Sequence, residues 1–276
     1  MLTTDRPLRV AVLCSRRAPG LVHLLASDPA RGTAFDIVAV VTSESACPEA
    51  DMLEACGIPQ VVHDIRAFYD ARASKVYRDF VTRRAYDRAT VDLLAPFAPD
   101  LVLLDGYLYL LTRPMLEAYA NRILNLHFSD LTIRRADHRP AYIGIRAVRD
   151  ALADGQIETS ATLHLVNDEP DGGAPVVRSW HFPVSPLVAR ARQWQATDML
   201  KAYGFAHQEW MIREASGPVL SAALALIAAG KVDLDGLGQA DAAFVTPWYV
   251  DAKSRLTPPD SARMHSLLRG YSRASA

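Results

Sequence analysis

Two side chains suited to acyl chemistry stand two positions apart in the run ILNLHFSDL, residues 123–131: Asn125 and His127. The run reads as a strand, and a spacing of two turns both side chains to one face. An amide N–H donates to a carbonyl oxygen that is gathering negative charge, and a neutral imidazole accepts a proton from an attacking amine. The pair is therefore equipped for acyl transfer without a covalent enzyme intermediate. The competing reading is two satisfied polar groups in a core. A third group follows in HLVNDEPDGGAP, residues 164–175, where Asp171 precedes Gly172 and Gly173. The glycines allow backbone to approach a ligand. A carboxylate near His127 would orient the ring and stabilise its protonated form. Taken alone, DEPDGG reads as an ordinary acidic turn.

These groups need a scaffold that brings them to one crevice. Short apolar, β-branched runs predict strands over 8–14, 36–43, 59–63, 100–106, 123–128, 160–166 and 175–182. Helix-like stretches lie between the early ones, at 20–30, 49–57 and 75–97, the last with apolar residues recurring at three and four. Strands alternating with helices predict an α/β, mostly parallel sheet with helices on both faces. In such sheets ligands bind beyond the C-terminal strand ends, where Asn125 and His127 fall. After residue 185 the pattern turns helical, clearest over 195–212 and 217–232. The remainder is mixed and Pro-rich, and we expect a catalytic domain over 1–232 and a loosely packing C-terminal extension or lid over 233–276.

The chain has 276 residues, half of them hydrophobic, enough for a large core. Thirty Lys and Arg face 31 acidic residues without long runs of either, which argues against nucleic-acid and membrane partners. Three cysteines, Cys14, Cys47 and Cys56, have no CxxC spacing, so neither a disulfide framework nor a zinc site is expected. The N-terminal apolar run is too short for a membrane span and lacks a cleavage pattern, giving a cytoplasmic expectation.

Taken together, NLH and, some forty residues on, HLVNDEPDGGAPVV resemble the folate-dependent formyltransferases, in particular those acting on glycinamide ribonucleotide. The resemblance runs from about Leu8 to Val184 and includes APDLVLLDGYLYLL and GIRAVRDALADGQIETSATLHLV in order. It implies a Rossmann-like domain that moves a formyl group from 10-formyltetrahydrofolate, as co-substrate, to a small-molecule amine acceptor without a metal. It implies that Asn125 binds the formyl oxygen, that His127 assists the tetrahedral intermediate and proton movement, and that Asp171 orients His127 or shuttles a proton. Tyr107, Leu108, Tyr109 and Leu111, with Asn167, Asp168, Glu169 and Pro170, would embrace the pterin. A homodimer is the candidate assembly.

The sequence departs from that pattern twice. The family's glycine-rich phosphate turn is replaced by CSRRAPGL, in which Ser15, Arg16 and Arg17 become the candidate acceptor-binding residues. Either the arginines bind a phosphate through their side chains, or the acceptor lacks that phosphate, or they are solvated. After His127 the family's Pro-Ser-Leu-Leu-Pro becomes Phe128, Ser129, Asp130, Leu131 and Thr132. Ser129 keeps its place and joins the acceptor-binding candidates. The longer stretch beyond it carries Arg134, Arg135, His138 and Arg139, a basic patch facing either an anionic acceptor or solvent. A specialised amine, such as an amino sugar or a secondary-metabolite precursor, therefore stands beside glycinamide ribonucleotide as the acceptor. The rivals are a 10-formyltetrahydrofolate hydrolase, disfavoured because strand one begins near residue 8 and leaves no room for a preceding regulatory module, and a non-catalytic folate-binding homologue.

Overall fold

The computed structural model describes residues 6–47, 49–75 and 79–259. In chain order the elements are β1 (Leu8–Cys14), α1 (Pro19–Ala26), β2 (Phe35–Thr42), α2 (Ala50–Ala55), β3 (Gln60–Val62), α3 (Ile65–Asp70) and α4 (Phe80–Leu94). Then come β4 (Leu101–Leu104), α5 (Arg113–Ala118), β5 (Ile123–His127), α6 (Ala147–Asp154), β6 (Glu158–Thr159), β7 (Thr162–Leu165), β8 (Pro175–Arg178) and β9 (Phe182–Pro183). The chain continues with α7 (Leu187–Gln193), α8 (Thr197–Ala228), α9 (Leu234–Gln239), β10 (Trp248–Val250) and β11 (Leu256–Thr257).

One sheet carries nine strands in the order β11-β10-β8-β7-β5-β4-β1-β2-β3. The half from β3 to β5 is parallel. Alternation decides its two cores. On β1, Val10 and Val12 join one cluster with Leu21 of α1 and Leu220 of α8. Ala11 and Leu13 join the other with Leu94 of α4 and Met115 of α5. Both faces of β1 are thus covered, and its run reads as continuously apolar.

Beyond β5 the sheet changes sense. β7 lies antiparallel to β5, and β8 antiparallel to β7. Only residues 166–174 join β7 to β8, too few for the crossover that a parallel pair demands. The 160–166 run becomes β7 alone, with β6 just ahead of it, and the 175–182 run gives β8 and the start of β9; β6 and β9 pair in a separate ribbon.

The two helical stretches expected on either side of residue 215 form one helix, α8, with Pro218 inside it. Gly217 sits against His23 of α1, where a Cβ would lie 2.2 Å from the ring, so glycine permits this close approach. Among the described residues α8 has the length and apolarity of a membrane span, but 67% of that window is buried inside the protein, as befits a core helix. The segment expected to pack loosely from residue 233 instead extends the sheet to residue 257. β10 pairs parallel with β8, and Val250 is fully buried. Residues 260–276 lie outside the described residues, as do 76–78 at the start of the expected 75–97 helix. That helix begins at Phe80, capped by Asp79, whose carboxylate accepts from the N–H groups of Val81 and Thr82.

Candidate functional site

Asn125 and His127 share a face at the end of β5, as their spacing requires. Antiparallel register sets His164 directly opposite Asn125 and Thr162 opposite His127. His164 Nδ1 lies 2.7 Å from the Leu165 carbonyl oxygen, which accepts only, so Nδ1 carries the proton. In the neutral ring Nε2 then accepts from the Asn125 amide nitrogen at 3.1 Å. This fixes the amide orientation and leaves a second N–H on that nitrogen for a ligand.

His127 is held in the same manner. Its Nε2 donates to the Tyr142 carbonyl at 3.1 Å, and Ser129 Oγ donates to the same oxygen at 2.7 Å. The remaining nitrogen, Nδ1, stands 3.5 Å from Asp171 Oδ1. Asp171 also lies 3.6 Å from His164 Nε2, and its second oxygen accepts from the Gly144 N–H at 2.7 Å. One carboxylate thus sits beside two imidazoles and one backbone donor.

The local chain is shaped to place it. Asp171 occupies the left-handed region at φ +52°. Gly173, two residues on, passes so close to the strand that a Cβ would lie 1.9 Å from the Leu165 carbonyl oxygen. Asparagine and aspartate tolerate left-handed backbone, and glycine tolerates contact that no side chain permits.

Burial pushes the Asp171 carboxyl up. The neighbouring His164 and His127 rings and the Gly144 N–H outweigh burial and hold the group well below the usual carboxylate range. Burial lowers His127, and the attraction of Asp171 only partly offsets it. At neutral pH the pair rests as a carboxylate beside a neutral imidazole whose open nitrogen is Nδ1.

A cleft of about 960 Å³ opens over these groups, within the range of small-molecule sites. Asn125, His127 and Asp171 line it with His164. So do Tyr107, Leu108, Tyr109 and Leu111, and so do Asn167, Asp168, Glu169 and Pro170. Both loops expected to embrace a pterin therefore border the same space as the trio.

The loop after β4 is held from two sides. Arg83 of α4 donates to the Leu110 carbonyl through Nε at 3.0 Å and Nη2 at 2.8 Å, and to the Tyr107 hydroxyl at 3.2 Å. Asp87, one turn on, pairs with Arg83 at 2.8 Å and accepts from the Thr112 N–H and hydroxyl. The opposite support is Ser15, whose hydroxyl accepts from the Leu108 N–H at 3.1 Å and contacts Ser43 Oγ at 2.7 Å.

The acceptor-binding candidates divide. Arg16 and Arg17 line the cleft, while Ser15 and Ser129 are buried with hydroxyls turned to internal partners. Arg17 forms a bidentate ion pair with Glu209 of α8, both contacts 2.6 Å. The basic patch after Ser129 stays out of the cleft. Residues 133–141 form a small hairpin that Arg134 and Arg135 tie together through backbone carbonyls. Arg134 also reaches the Ala242 carbonyl.

Four features escaped the sequence reading: His164, the Arg83–Asp87 pair, the α8 wall of the cleft, and Asp105. Asp105 follows β4, is buried, and accepts from the Leu21 N–H at 2.7 Å, so it caps the start of α1. Burial pushes its carboxyl up to about 7 against the N–H groups of Leu21 and Gly20. A charged pair at spacing four on the apolar stripe of 75–97 was the available signal for Arg83 and Asp87.

Residues 8–191 match the model of a family described as formyl transferase. The chain is 29% identical over 166 residues to phosphoribosylglycinamide formyltransferase of Escherichia coli (strain K12), covering 54% of this chain and 74% of that protein. It is 26% identical over 228 residues to formyltetrahydrofolate deformylase of the same organism, covering 83% of this chain and 68% of that protein. Glycinamide ribonucleotide transformylase 1 from Symbiobacterium toebii superposes with a TM-score of 0.63 at 24% identity, over 86% of this chain and 95% of that one, a likeness of fold.

Proposed function

Because the chain belongs to the formyl transferase family, we propose that it moves the formyl group of 10-formyltetrahydrofolate to a primary amine of a small molecule. The observation that carries this reading is the placement of His127 Nδ1 3.5 Å from Asp171 Oδ1, beside Asn125, at the floor of a single cleft. In the reaction the amine nitrogen bonds to the formyl carbon and the carbonyl electrons move to oxygen. The free N–H of Asn125, held in a fixed direction, stabilises that oxyanion. His127 takes the proton of the attacking nitrogen at Nδ1, and Asp171 stabilises the resulting imidazolium. The bond to the folate nitrogen then breaks as that nitrogen is protonated, releasing tetrahydrofolate and the formamide.

The two loops over residues 107–111 and 167–170 take the pterin. The first loop is anchored on Arg83 and Ser15, which supports the reading, because a co-substrate held in register lets two bound molecules react as one. The protein is incubated with 10-formyltetrahydrofolate and a panel of amines, and tetrahydrofolate and formylated amine are measured together. Equal release of both supports the proposal. A second reading, hydrolysis of the same co-substrate, draws on the deformylase likeness over 83% of the chain. Formate appearing at the same rate without amine would select it. Folate binding with no release under any condition would select a non-catalytic homologue.

A further inference from the structure

The side of the cleft that bears Arg16 and Arg17 is walled by α8, whose Glu209 pairs with Arg17. Phe205, Gln208, Glu209 and Ile212 fall at i, i+3, i+4 and i+7, one helical face, and all line the cleft. This face lies outside the family-matched residues 8–191. Phe128, Ile145 and Val148 line the same cleft from the segment after β5 and from α6. Ile145 and Phe205 are 80% and 70% exposed, so large apolar side chains stand open to solvent at a concave site. Exposed apolar surface concentrated in a cleft marks a binding surface.

The charge of the lining points the same way. It carries three arginines, Arg16, Arg17 and Arg83, against six carboxyl groups, on Asp79, Asp105, Asp168, Glu169, Asp171 and Glu209. Two of those arginines are spent internally, Arg17 on Glu209 and Arg83 on Asp87. The N-terminus of α1, the natural seat for an anion beside the loop carrying Arg16, already holds the Asp105 carboxyl on the Leu21 N–H. Asp105 also takes up the Gly20 N–H, so the donors an anion would use there are occupied. A phosphate dianion entering this region meets an acidic wall with one cation, Arg16, that forms no ion pair among the described residues. A protonated amine is drawn in by the same field.

Building on the formyl-transfer reading, we propose that the acceptor is a primary amine borne on an apolar body that carries no phosphate. Its body lies between Phe205 and Ile212 of α8 and Ile145 of the opposite wall, with the nitrogen directed at Asn125 and His127.

The test compares kcat/KM for phenethylamine, tryptamine and hexylamine with that for glycinamide ribonucleotide, all with 10-formyltetrahydrofolate as donor. We expect at least one apolar amine to exceed the ribonucleotide by about tenfold or more, the worth of burying part of one aromatic or aliphatic side chain. Phe205→Ser and Ile145→Ser should each cut that advantage several-fold while leaving the KM for the donor unchanged. Preference for glycinamide ribonucleotide overturns the proposal, as does an advantage that both substitutions leave intact. If no amine is formylated, the formyl-transfer reading itself fails, whether the donor is hydrolysed or only bound. Calorimetric titration then decides the acceptor class. Tighter binding of phenethylamine than of ribose 5-phosphate supports it, and tighter binding of the phosphate ester, or of neither, overturns it.

Discussion

The side-chain amide of Asn125 lies 3.1 Å from Nε2 of His164, across the antiparallel pair of β5 and β7. That contact converts a freely rotating amide into an aimed donor. Asn125→Ala is therefore expected to lower formyl transfer by about a hundredfold to a thousandfold, the typical loss for one oxyanion donor. His164→Ala should produce a smaller loss concentrated in kcat, because the Asn125 donor survives without its support. Single-turnover transfer from 10-formyltetrahydrofolate measures both. Loss of donor binding instead of rate would relocate Asn125 away from the formyl oxygen.

The acid limb of the pH–rate profile should report His127. Its pKa lies below the ordinary imidazole value through burial, so activity should persist somewhat below pH 6.5 and fall as protonation fills Nδ1. Asp171 favours the imidazolium, and its removal makes protonation harder. Asp171→Asn should therefore shift the limb to lower pH while lowering the plateau rate. A limb that moves upward, or stays in place, would show that the carboxylate acts on something other than this ring.

Ser15→Ala tests which substrate the first loop serves. The hydroxyl meets the Leu108 N–H, inside the loop over 107–111, and faces no open space. Its loss leaves a backbone donor without its partner, a cost of about 1–3 kcal/mol where the group is buried. The KM for 10-formyltetrahydrofolate should rise several-fold and the acceptor KM should hold. Steady-state kinetics with each substrate varied in turn separates the two. A rise confined to the acceptor would return Ser15 to the role its position in CSRRAPGL first suggested.

What the sequence made legible follows from which patterns are local. Period-two alternation on β5 is local, so the shared face of Asn125 and His127 was readable, and the glycines after Asp171 marked a loop that must fold tightly. His164 was not readable as a functional residue. It sits in an apolar run, and only the antiparallel register with β5 brings it to Asn125. Ser15 and Ser129 follow strands β1 and β5, yet the direction of a hydroxyl depends on partners distant in sequence, Leu108 and Tyr142. β10, three residues long, gains its identity from its partners β8 and β11, so no pattern within 248–250 could announce it. Asp105 fell inside the strand expected over 100–106, and the helix start it caps lies eighty-four positions away.

That same carboxyl gives the last prediction. Asp105 is buried with its pKa pushed up to about 7, whereas in the unfolded chain it returns to about 4. Between those values the folded protein holds a proton that the unfolded chain has released, so stability falls as pH rises through this window and levels off above it. Asp105→Asn keeps an oxygen to accept from Leu21 and cannot ionise. The stability difference between the natural protein and this variant should therefore move by roughly 1 kcal/mol per pH unit between about 5 and 7, to the variant's advantage as pH rises. Urea unfolding of both proteins at several pH values measures it, and titrations common to both cancel in the difference. A difference that stays flat with pH would mean Asp105 remains ionised in the folded protein, with the start of α1 strong enough to hold its charge.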